Sequence, residues 1–84
     1  MSDVRVVDSR GSHLLIERNG RFAVVERRNG RLYATSDGDR RAHPDTPAGM
    51  AAAADETGWT DEGRARQSLA AIAERGDELA RKIW

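Results

Sequence analysis

The dipeptide Asn-Gly occurs twice in this chain, each time inside the same tetrapeptide, Arg18-Asn19-Gly20-Arg21 and, ten residues on, Arg28-Asn29-Gly30-Arg31. Both central positions of a type I′ turn need positive φ, which Asn and Gly tolerate. Asn-Gly between alternating apolar runs is therefore the strongest short-range hairpin signal. Two such turns separated by one strand length make the middle of the chain a β-meander.

The flanking runs complete it. Val4, Val6 and Val7 form a short β-branched run closed by Asp8-Ser9-Arg10-Gly11-Ser12, a cluster of turn residues, so residues 4–7 read as a first strand. Residues 13–18, 21–28 and 31–36 read as three more, giving about four antiparallel strands. Residues 37–46 hold Asp, Gly, Arg, His, Pro and Thr with no apolar residue larger than Ala42, and read as a loop. Thr46-Pro47 is a helix start, an N-cap followed by proline at the first helical position, and the alanine-rich run after Met50 is helical until Gly58 stops it. Thr60, Asp61 and Glu62 open a second helix, with acids against the positive end of its dipole. From there Ala65, Leu69, Ile72, Gly76, Leu79 and Ile83 form a narrow heptad-like seam, and Glu62/Arg66, Asp77/Arg81 and Glu78/Lys82 are favourable i,i+4 pairs beside it.

The expected fold class is α+β in one domain, residues 1–84. It comprises a meander at 1–36, a loop at 37–46, and a helical part at 47–84 whose long C-terminal helix packs on one sheet face. Two-residue turns set the register: Arg18 opposite Arg21, Ile16 opposite Ala23, Leu14 opposite Val25, Arg28 opposite Arg31. One face then carries Leu14, Ile16, Ala23, Val25, Leu32 and Ala34, the expected core under the long helix. The other carries Leu15, Phe22, Val24 and Tyr33 among His13, Glu17, Glu26, Arg28 and Arg31. It is too apolar to be left in water and too charged for a second core, so it reads as a partner surface that the short helix covers in part at most.

Composition sets the limits on function. Leu, Ile, Val and Phe together make up about a sixth of the 84 residues, while alanine supplies thirteen, so the core is thin and depends on close approach of elements. There is no cysteine, which excludes disulfides and thiolate metal sites. No apolar run suits a signal peptide or a membrane span, so the expected location is cytoplasmic with no membrane contact. Arginine outnumbers lysine thirteen to one, a composition that fits a GC-rich bacterial genome. Net charge is zero, but residues 1–44 carry +3 and residues 45–84 carry −3, so the halves are complementary within a chain or between copies.

Little in the chain points to chemistry. His13 falls opposite Glu26, without a nucleophile or oxyanion donor beside them, and His43 lies next to Pro44 in the expected loop. Asp37-Gly38-Asp39 resembles the start of a calcium loop, but the closing Glu is replaced by Ala48. The expectation is no catalytic residue, no metal and no cofactor. The leading reading is a non-enzymatic protein-interaction module, a homodimer or bound to another protein partner, that binds through Leu15, Phe22, Val24, Tyr33 and the C-terminal Trp84. The alternative is a small RNA- or DNA-binding regulator using Arg28, Arg31, Phe22 and Tyr33, with the aromatics as stacking platforms. Zero net charge and the acids Glu17 and Glu26 on the same face weigh against it.

Overall fold

The computed structural model describes residues 4–35 and 41–83, with side chains on the C-terminal helix as far as Ile72. It is an α+β fold. Five antiparallel strands, β1 (Arg5–Arg10), β2 (His13–Arg18), β3 (Arg21–Arg28), β4 (Arg31–Ala34) and β5 (His43–Pro44), lie in sequence order, followed by α1 (Pro47–Thr57) and α2 (Glu62–Ile83). Both Asn-Gly turns are two-residue connections, with Asn19 and Asn29 at φ 53° and Gly20 and Gly30 at 79° and 73°. The ladder follows the turns: Arg18 pairs with Arg21, Ile16 with Ala23, Leu14 with Val25, Arg28 with Arg31 and Val25 with Ala34.

Two elements differ from the sequence reading. Asp8, Ser9 and Arg10 belong to β1 and pair with Leu15, Leu14 and His13; a bulge at Val7 absorbs one residue, and the turn is confined to Gly11, at φ 57°, and Ser12. Polar residues extend the strand because β2 offers ladder partners along its whole length, which local propensity does not register. Within the expected loop, His43 and Pro44 form β5 against Leu32 and Arg31. Proline is tolerated there because β5 is an edge.

The sheet is covered on both faces. Leu14, Ile16, Ala23, Val25 and Leu32 pack against Ala53 and Ala54 of α1, with Val4, Met50 and Trp59 at the margin. Leu15 and Val24 pack against Ala65 and Leu69 of α2, with Val7, Phe22 and Ile72 at the margin. The face expected to lie under the long helix is therefore covered by the short one, and the face expected to stay open lies under the first turns of α2. Strands buried on both faces read as continuous apolar runs, and Leu14-Leu15-Ile16 and Ala23-Val24-Val25 are such runs. Gly76, Leu79 and Ile83 of the seam, and the pairs Asp77/Arg81 and Glu78/Lys82, lie beyond the described side chains.

The start of α1 is fixed by backbone contact. The Thr46 hydroxyl accepts from Gly49 N–H at 3.1 Å, and Pro47 occupies the first turn. Gly49 lies so near β5 that a Cβ there would fall on the Pro44 carbonyl oxygen. Glu56 on the last turn pairs with His43 of β5, and Arg27 of β3 pairs with Asp45 at 3.0 Å. No helix among the described residues is long and apolar enough to cross a membrane.

Candidate functional site

Because β4 pairs only with Val25–Arg28, the first half of β3 has an open side. The segment between the helices fills it. Gly58, at φ 103°, caps α1 through its N–H to the Ala54 carbonyl at 2.7 Å. Two residues later Thr60 exchanges both backbone hydrogen bonds with Phe22, each 2.8 Å. Thr35 finishes the seal: its hydroxyl donates to the Val24 carbonyl at 2.9 Å and its N–H donates to the Thr57 hydroxyl at 3.0 Å. By wrapping round this side, the connector carries the chain from the α1 face to the α2 face.

Two clefts open where it passes. One, of about 370 Å³, is lined by Thr35, Thr57, Trp59, Arg64 and Ser68 over Val24. The second, of about 390 Å³, is lined by Gly20, Arg21, Trp59, Thr60 and Asp61. Trp59 is common to both and is held from two directions. Its indole N–H donates to Asp55 Oδ1 at 2.7 Å, and the Arg18 guanidinium carbon lies 5.0 Å from the ring centroid. A ring fixed at its edge and covered on one face presents a rigid wall, and the cation–π contact orients Arg18 without neutralising it. Asp61 caps α2, accepting from Arg64 N–H at 2.8 Å.

The residues singled out from sequence are dispersed. Leu15 and Val24 are core, 0% and 2% exposed, and Phe22 is partly buried against α2. These three belong to this chain's own interior, because the α2 stripe of Ala65, Leu69 and Ile72 requires an apolar surface and takes this one. Tyr33 is half-buried beside Glu26 in the β3–β4 ladder, and Trp84 lies outside the described residues. Of the nucleic-acid set, Arg28 is bound to Glu26 at 2.8 Å and Arg31 is exposed, so the arginines and the Phe22 ring do not form one open platform. His13 stands opposite Glu26 on the α2 face, while His43, paired with Glu56, stands opposite Leu32 on the α1 face; the two histidines do not converge. No three His, Asp or Glu among the described residues are grouped to hold a metal ion. Asp37-Gly38-Asp39 lies outside the described residues.

The connector site was missed by sequence reasoning, yet a signal existed. Two residues before the second turn's first arginine, on the same face, stands Glu26; at the equivalent place before Arg18 stands Ile16. The two identical tetrapeptides thus differ in whether a carboxylate is built in beside them. No known protein family, curated protein or solved structure matches the chain.

Proposed function

We propose that the protein is a non-enzymatic interaction module that self-associates along β1. The observation that carries this reading is the edge of that strand, which among the described residues pairs with β2 on one side only and bears Val6, 43% exposed, the large apolar side chain most open to solvent among them. With both faces under helices, further backbone pairing falls to the sheet edges, and β1, six residues long against two in β5, is the longer of them. Its short length, its bulge and the flanking Arg5, Asp8 and Arg10 limit pairing to a strand of matching pattern and charge. A second copy supplies such a strand. The thin core of a small, staple-free domain favours self-association.

A nucleic-acid role has less support, since the aromatic platform it needs is partly covered by α2 and Glu26 engages Arg28. Light scattering on the 9.3 kDa chain tests the main reading. The expected result is a dimer at high micromolar concentration that Val6→Lys converts to a folded monomer, with the concentration dependence of the wild-type melt lost in the variant, since a lysine on the edge opposes strand addition. A wild-type chain that stays monomeric throughout overturns the reading.

A further inference from the structure

The two Arg-Asn-Gly-Arg hairpins have the same turn geometry and the same directly opposed arginines, an arrangement that destabilises a hairpin unless the charge is compensated. At the second hairpin compensation is internal. Glu26, two residues before Arg28 on the same face, has its carboxylate 2.8 Å from the Arg28 guanidinium and its side chain 8% exposed. At the first hairpin the equivalent position is Ile16, buried and apolar. The adjacent acid, Glu17, projects to the other face and holds Arg5 at 2.9 Å. Arg18 is oriented by Trp59, and Arg21 is exposed with no ion pair among the described residues.

We propose that the end of the first hairpin, on the α1 face, is a binding site for a phosphate-type oxyanion, held by Arg21 in the cleft it lines with Gly20, Trp59, Thr60 and Asp61, and by Arg18, which lies over the Trp59 ring beside that cleft. Guanidinium groups carried at two directly opposed ladder positions suit the several oxygens and double charge of a phosphoryl group, which can accept from both, whereas a single planar carboxylate satisfies one fork. Arg18 is already stacked on the indole, so little side-chain freedom is lost when the anion arrives. Asp61 lines the same cleft but is engaged elsewhere, with one oxygen on Arg64 N–H at 2.8 Å and the other 3.7 Å from the Arg64 guanidinium. The cleft, about 390 Å³, is much larger than a bare phosphate ion and leaves room for an organic body against the indole. The ligand class is a small phosphomonoester. This site is independent of the β1 edge and stands or falls without it.

Amide and indole NMR shifts of the full chain, titrated with inorganic phosphate, with adenosine monophosphate and with adenosine, test the proposal. The expected result is saturable movement of Gly20, Arg21, Thr60 and the Trp59 indole signal with both phosphates and none with adenosine. Arg21→Ala weakens binding about tenfold or more, Arg21→Lys restores it in part, and Arg31→Ala at the second hairpin changes it less than about twofold. Tighter binding of the monophosphate than of inorganic phosphate assigns the rest of the cleft to the organic body, and equal affinities assign the site to free phosphate. Shifts that do not saturate at tens of millimolar, adenosine binding as well as its monophosphate, or equal losses in Arg21→Ala and Arg31→Ala overturn it.

Discussion

The two faces of the sheet are closed by opposite means. On the α1 side the covering residues are alanines, Ala53 and Ala54, both at 0% exposure, and the helix is brought down onto the strands by Gly49 against Pro44. On the α2 side the covering residues are longer, Leu69 and Ile72 with Ala65, and the helix is anchored by the Thr60–Phe22 bridge and by Arg66 reaching Asp8 at 3.3 Å. Small side chains bury apolar surface only if backbones come very close, so the α1 side tolerates almost no added volume. Larger side chains span a wider gap and leave room for adjustment. A thin apolar complement can therefore close two layers, provided one of them is set by backbone contact.

The largest expected effect is on the α1 side. Gly49→Val puts branched carbon into the Pro44 carbonyl and costs about 3 kcal/mol or more, a large part of the stability of a domain this size; chemical denaturation measures it. A cost below about 1 kcal/mol would mean that α1 does not sit this close. Next come Ile16→Ala and Leu15→Ala, one core residue for each face. Each is expected to cost about 2–5 kcal/mol because each is fully buried. The pair is decisive for the two-sided sheet, since a Leu15 on an open face would cost little when truncated. The smallest effects are at the caps. Thr46→Ala removes the acceptor for Gly49 N–H and Asp61→Ala the acceptor for Arg64 N–H, each about 1 kcal/mol, or about 4–8 °C in the melting temperature. Equal losses would show both helices contributing to one cooperative unit, whereas loss at Thr46 alone would mark α2 as separately melting.

Much of the fold was legible because it is local. The Asn-Gly turns fixed the hairpins and register, and Thr46-Pro47 with Gly58 bounded α1 to within a residue. Which helix covers which face was not legible. α1 holds five alanines in its eleven residues, four of them in one unbroken run, and has no stripe to point with, so periodicity could not orient it. The triplets Leu14-Leu15-Ile16 and Ala23-Val24-Val25 carried the missing information, since a strand half-exposed to water alternates and these do not. Taking Leu15 and Val24 as surface led the partner site to the interior. β5 was equally out of reach, because His-Pro has no strand propensity and is held by β4 and α1 around it.

By itself the sequence determined the turns, the strand register, the helix starts and the opposed arginines, all set by φ preferences and hydrogen bonds within a few residues. Only the tertiary structure decided that the sheet has helices on both faces, that Thr60 closes the open side of β3, and that Trp59 comes to rest under Arg18. Those outcomes depend on contacts between residues tens of positions apart. Such contacts form where buried area and close approach are greatest, quantities that belong to the assembled layers and not to any single segment.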